Sequence, residues 1–305
     1  MSQSFSDLIT QTQQLLRSYV RDQEPTTWLK FDVAEDARTF TVNDASVLSR
    51  GLVEVDSELV LVEDINANDG TFTVPPFGRG MEGSKAAVHG GGAQVRVQPL
   101  YPRSAVAAAL NQTITGLGSQ LWGVDTVTLK ASPTRVSYEL PEDTERVLSV
   151  SWLVRHSPSR DVIYARDWVF DTQANFPSGK GILLYEWPLP GDPITVTIGV
   201  TPRTLVEEDL FTDSMLPTTS FDVVMLGAAS RLITTAGSYL TATRSVGAQT
   251  TLGAPMDPTQ PLQIGRYLYQ QYQERLAQEI TRLQNRYSNR THYQRGLRGS
   301  SGSGF

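Results

Sequence analysis

Cysteine is absent from the 305 residues of the sequence, which excludes disulfides, thiolate metal sites and a cysteine nucleophile. Histidine is scarce, and His89, His156 and His292 lie too far apart in the sequence for a short metal-binding motif. We interpret each of them as a surface or turn residue. The sequence also lacks an apolar run near the roughly 20 residues of a membrane span. Its first residues lack the basic region and apolar core of a signal peptide. We therefore expect no membrane contact.

Charged residues make up only 19% of the chain, and their signs are unevenly distributed. Residues 262–305 contain seven arginines and two glutamates, a net charge of +5, whereas the whole chain carries −6. The remaining residues therefore carry −11. A basic C-terminal segment on an acidic protein predicts an acidic partner for that segment.

Groups for catalysis are few, and each has a simpler interpretation. The carboxylate pairs at 63–64, 142–143 and 207–209 lie in predicted turns or solvated stretches, not on facing elements as a glycosidase needs. The glycine-rich run at 78–85 lacks the order of a phosphate-binding loop. The aromatic cluster Trp152, Trp168, Phe170, Tyr185 and Trp187 is either a sugar platform or core, and strand aromatics favour core. We predict that the chain is not an enzyme and has no cofactor or metal.

Hydrophobic periodicity predicts four helices, at residues 5–20, 105–117, 221–236 and 264–287. Ser4 or Ser6 can cap the first, Pro102 precedes the second, and Thr219 with Asp222 forms a capping-box pattern before the third. Short alternating runs separated by Asn-Asp, Asp-Gly and proline-rich turns predict strands between the helices.

The predicted fold class is α+β, a helical bundle discontinuous in sequence with two inserted antiparallel β modules and an extended C-terminal tail. The ring-forming bundle comprises residues 1–26, 99–123 and 203–290. The first β module comprises residues 27–98, and the second, sandwich- or barrel-like, comprises residues 124–202. Residues 291–305 form the tail, which has too little apolar content to fold alone. Such insertions are tolerated because the entropy of loop closure grows slowly with length.

Two stretches carry a resemblance to a known family. The first is Phe77-Gly-Arg-Gly-Met-Glu-Gly-Ser-Lys-Ala-Ala-Val-His89, followed by Gly-Ala-Gln-Val-Arg-Val97 and Tyr101-Pro-Arg-Ser-Ala-Val106. It resembles a small β module of tailed-phage virion proteins. The second is Tyr138-Glu-Leu-Pro-Glu-Asp-Thr-Glu-Arg-Val-Leu-Ser-Val150, which is similar to the β domain of neck proteins in phages of actinobacteria.

Together with the helices, the resemblance covers most of the chain, which looks like the head-to-tail adaptors, or connectors, of tailed phages. That resemblance implies a virion protein at the capsid vertex, assembled in the bacterial cytoplasm as a ring of twelve copies. It implies a portal protein as one partner, a further neck or tail protein below, and non-specific contact with genome DNA in the channel. It carries over no catalytic residues. The alternatives are another tail component, such as a baseplate or fibre-attachment protein, and a virion glycan hydrolase.

The candidate portal-docking residues are the arginines and aromatics of the basic segment: Arg282, Arg286, Tyr287, Arg290, Tyr293, Arg295, Arg298 and Phe305. Arginine and tyrosine are enriched in protein interfaces. The rival interpretation is that these arginines face DNA, although the acidic remainder of the chain would repel it. A third interpretation is a solvated helix face.

Overall fold

The structure is a computed structural model that describes residues 3–19, 24–118, 120–153, 162–186, 188–245 and 260–287, without the side chains of 236–245 and 260–261. The chain forms two compact units. The first comprises Met1–Ile114, Thr204–Phe211 and Ser220–Arg275, and the second comprises Thr115–Arg203, Thr212–Thr219 and Leu276–Phe305.

Four α-helices occupy the positions that the apolar periodicity predicts. They are α1 (Phe5–Ser18), α2 (Arg103–Leu117), α3 (Phe221–Ser245) and α4 (Gln260–Tyr287). Ser4 caps α1 and forms a reciprocal capping box with Asp7, which satisfies two backbone donors at the helix start. The capping role predicted for Thr219 stays a prediction. Ser220 directly precedes α3, and the Thr219 hydroxyl donates to Glu279 of α4 at 2.7 Å.

Seven strands lie between residues 26 and 97 in the first unit. They are β1 (Thr26–Trp28), β2 (Thr39–Thr41), β3 (Gly51–Val55), β4 (Glu58–Val62), β5 (Asp64–Asn66), β6 (Thr71–Thr73) and β7 (Gln94–Val97). They form two antiparallel sheets in the orders β1-β7-β3-β4 and β2-β6-β5. Phe40 and Phe72 stack with ring centroids 4.7 Å apart within their shared core.

Seven more strands lie between residues 123 and 200 in the second unit. They are β8 (Gly123–Lys130), β9 (Ser137–Glu139), β10 (Thr144–Leu153), β11 (Val162–Tyr164), β12 (Trp168–Asp171), β13 (Gly181–Leu184) and β14 (Pro193–Val200). Their antiparallel sheets have the orders β11-β10-β14-β8 and β12-β13-β9, with a core that includes Trp152, Trp168 and Val196.

The predicted helical bundle is wrong, because the fold is mixed, with four antiparallel sheets and four α-helices in the described part of the chain. The two units each contain a β core of their own. Helices α2 and α4 are each divided between the units, after Ile114 and after Arg275. An apolar stripe shows that a helix face is buried but not which element covers it. The predicted tail at 291–305 lies outside the described residues, and the predicted domain limits stay a prediction.

Close helix contact is nevertheless present within the first unit. A Cβ on Gly227 of α3 would lie 2.6 Å from Cγ2 of Thr113 in α2 and 3.0 Å from the ring of Tyr272 in α4. The small residue therefore permits three helices to approach. Among the described residues, no helix is both long and apolar enough to span a bilayer.

Candidate partner-binding site

The loop of residues 78–92 in the first unit is attached to a buried carboxylate on β4. Arg79 donates from Nε to Oε1 of Glu58 at 2.6 Å and from Nη2 to Oε2 at 2.8 Å. The N–H groups of Gly80 and Ala87 donate to the same carboxylate at 3.0 Å each. Burial by itself would raise the pKa of Glu58, but the hydrogen bonds from Arg79 and His89 outweigh burial and lower that pKa to about 2.

His89 completes this network from the other end of the loop. Its Nε2 lies 2.9 Å from Oε2 of Glu58, and its Nδ1 lies 2.9 Å from Oδ2 of Asp56. Ionised carboxylates only accept hydrogen bonds, so both contacts are satisfied when the imidazole carries a proton on each nitrogen. Burial alone would lower the pKa of His89, but the bonds to Glu58 and Asp56 outweigh it and raise that pKa. The interpretation of His89 as a surface or turn residue is therefore wrong.

The same loop is fixed by further contacts of the Arg79 guanidinium. It donates to the carbonyls of Ala34 at 3.1 Å, Ala37 at 2.9 Å and Ala87 at 2.7 Å. Gly80 has a φ of 62°, a left-handed conformation that favours glycine. The residues that carry the first family resemblance thus form a scaffold, in which the charges of Arg79 and His89 are matched by acidic partners.

Large apolar side chains are exposed at both ends of this scaffold. Phe77 is 92% exposed immediately before Gly78, and Val88 is 71% exposed immediately before the buried His89. Phe31, on the segment that lies against Gly91, is also exposed. Scattered apolar side chains are ordinary on protein surfaces, but a fixed loop that presents them outward is suited to contact with another protein.

The predicted docking residues Arg282, Arg286 and Tyr287 lie in the last turns of α4. Arg282 and Arg286 are four residues apart on one helix face, and both are exposed. Arg282 Nη1 lies 3.3 Å from Oε2 of Glu279, and the Arg286 guanidinium lies 5.8 Å from the centroid of the Tyr287 ring. The other predicted docking residues, Arg290, Tyr293, Arg295, Arg298 and Phe305, lie outside the described residues.

The remaining candidates from the sequence have structural partners. In the three carboxylate pairs, Asp64 contacts Arg50 at 2.8 Å, Asp143 contacts Arg203 at 2.8 Å, and Glu207 forms an ion pair with Arg103. Trp152 and Trp168 are buried, which confirms the core interpretation for these two, whereas Tyr185 is exposed. His156, His292 and Trp187 lie outside the described residues. The part of the chain that the structure describes contains no group of three possible metal ligands.

The sequence alone predicts no role for Asp56 or Glu58. Asp56 lies in the two-residue turn between β3 and β4, and Glu58 is the first residue of β4, where exposed acidic residues are common. The available signal was the acidic residue at the first position of a strand whose next residues are Leu-Val-Leu-Val.

Comparison with known proteins gives no assignment: no model of a protein family matches the chain, and no curated protein matches its sequence.

Proposed function

We propose that the chain is a non-catalytic head-to-tail adaptor of a tailed phage. In this proposal it forms an oligomeric ring of twelve copies beneath the portal, connects capsid to tail and surrounds the DNA exit channel. It is a virion component of the neck, with the portal protein above and a further neck or tail protein below. DNA contact in the channel is non-specific.

The observation that carries the proposal is the scaffold built by Arg79, Glu58 and His89. The residues of the phage-like motif fix a loop through a buried ion network and leave Phe77 and Val88 exposed beside it. A network whose charges satisfy one another favours shape and contact over catalysis. A virion subunit that only assembles needs such a contact surface and no reactive group.

The second support is the position of Arg282 and Arg286 near the end of α4. Both guanidinium groups are exposed on a chain whose remaining residues are acidic. Exposed arginines that continue into a basic segment suit an acidic protein surface, and repetition around a ring would add many weak contacts.

The test uses purified full chain and isolated portal rings of the phage that encodes it, with no DNA present. Attachment is measured by gradient sedimentation and negative-stain microscopy. We expect the full chain to attach and a chain that ends at Arg290 to lose attachment. If the shortened chain attached normally but particles lost DNA, the residues after Arg290 would contact DNA and not the portal.

The alternative function is another tail component, such as a baseplate or fibre-attachment protein. It shares the exposed apolar loop and differs in copy number, since baseplate parts follow threefold or sixfold symmetry. A glycan hydrolase is less favoured, because Trp152 and Trp168 of the proposed sugar platform are buried.

A further inference from the structure

A pocket of about 240 Å³ lies within the second unit, between the C-terminal turns of α4 and the segment of residues 212–219. Its apolar lining includes the buried Leu216 and Leu283, and its polar lining includes the exposed Arg282 and Arg286. The volume is below the roughly 300–1,000 Å³ of pockets that take small molecules and cofactors. A pocket of this size is better suited to hold one side chain of a protein partner.

The charges of this pocket favour an incoming carboxylate. Glu279 lines it, but its Oε2 already accepts from the Thr219 hydroxyl at 2.7 Å and lies 3.3 Å from Arg282 Nη1. Among the described residues Arg286 makes no ion pair, and its guanidinium lies 5.8 Å from the centroid of the Tyr287 ring. One guanidinium at the pocket is thus left for an external anion, and arginine binds carboxylates well.

The pocket wall opposite α4, formed by the segment of residues 212–219, has a fixed backbone conformation without a ligand. Met215 has a φ of 65°, which is uncommon for a residue with a side chain. Its N–H donates to the Thr212 carbonyl at 2.9 Å, and its own carbonyl accepts from the N–H of Val124 at 2.8 Å. Because the backbone is fixed by these bonds, binding here would cost little ordering of the pocket.

We infer that this pocket receives one apolar side chain from an acidic segment of the partner protein, with a neighbouring carboxylate of that segment at Arg286. The inference rests on the docking function proposed above and specifies the kind of partner segment that binds. A DNA strand offers phosphates to Arg286 but no aliphatic side chain to Leu216 and Leu283, so the two occupants differ in their dependence on the apolar contact.

The experiment measures binding of fluorescein-labelled peptides to the purified full chain by fluorescence anisotropy at low salt. One peptide contains Asp-Glu-Leu-Glu-Asp, and the second contains Asp-Glu-Ala-Glu-Asp with the same charge. A labelled thymidine oligonucleotide of equal charge is the third probe. The protein variants are Arg286→Glu and, as a matched control on the same helix outside the pocket, Arg266→Glu. The melting temperature of each variant checks its fold.

We expect the leucine peptide to bind about tenfold more tightly than the alanine peptide, because only leucine reaches the apolar lining. Arg286→Glu should weaken binding of the leucine peptide by about tenfold or more. Arg266→Glu should change its affinity by no more than about twofold. Equal binding of both peptides, or equal effects of the two substitutions, would overturn the inference. Preferred binding of the oligonucleotide that Arg286→Glu abolishes would replace it with a DNA contact.

Portal attachment separates this inference from the proposed function. If Arg286→Glu abolished attachment to portal rings while neither peptide bound, the docking function would be supported. The inference that the pocket receives an apolar side chain would then be wrong. If the leucine peptide bound as expected but the full chain never attached to portals, the docking partner would be another acidic protein.

Discussion

Substitution of Arg79 by alanine should strongly destabilise the β core of the first unit. Glu58 is fully buried and loses two of its charge-assisted hydrogen bonds, at 2.6 and 2.8 Å, when the guanidinium is removed. It keeps His89 and two backbone donors, while three carbonyls lose a donor. Breaking a buried ion pair by removing one partner costs about 3–5 kcal/mol. The total free energy of unfolding of a typical domain is only about 5–15 kcal/mol.

The assay is hydrogen exchange of the β1–β7 backbone amides, read by mass spectrometry, because it reports this region separately from the second unit. The matched control is Arg50→Ala, which removes an ion pair of 2.8 Å between side chains that are 74% and 66% exposed. Such a surface pair contributes about 0–1 kcal/mol. Arg79→Lys should fall between the two, because lysine keeps the charge but not the planar fork. Equal losses for Arg79→Ala and Arg50→Ala would show that the buried ion pair stabilises the first unit no more than the exposed pair does.

Three further predictions concern neighbouring features. The raised pKa of His89 means that its protonated form stabilises the fold, so this stability is present below the ordinary pKa of 6.5 and is lost as pH rises through the raised value. Exchange of the same amides between about pH 5 and 9, corrected for intrinsic rates, should show this loss in the wild type and not in His89→Gln. If exchange depended on pH in the same way in the wild type and in His89→Gln, protonated His89 would not stabilise the fold. Gly80→Ala should cost about 1 kcal/mol in the same assay, because alanine disfavours φ near 62°. Gly227→Ala should lower the melting temperature through overlap with Thr113 and Tyr272, at a cost of about 1–3 kcal/mol, whereas an unchanged temperature would show that these helices separate easily.

The local structure can largely be predicted from the sequence. The apolar alternation from Ile194 to Val200 predicts a strand there, and β14 spans Pro193–Val200. Of the two serines that could cap α1, Ser4 is the one that does so, with Asp7 as its capping-box partner. Strand β11 escapes prediction because it consists of three consecutive apolar residues whose side chains are all exposed, so no alternation marks it.

The long-range arrangement cannot be predicted in the same way. The apolar stripes of the helices suggest one shared bundle, but periodicity does not identify the covering element. The pairing of Glu58 with Arg79 and His89 joins residues that are 21 and 31 positions apart, and no local pattern specifies such a contact. The pocket near Arg286 likewise depends on residues 212–219, which carry no periodic signal of their own.

The proposal that this chain is a neck subunit docked on the portal can be tested by locating the chain in the phage particle. The measurement is a cryo-electron microscopy map of the phage particle that encodes the chain, with the chain placed by its two β cores. We expect a closed ring directly beneath the portal, with about twelve copies and the end of α4 facing an acidic portal surface. A map that places the chain in threefold or sixfold symmetry at the far end of the tail, or that lacks the chain, would show that the chain is not a neck subunit.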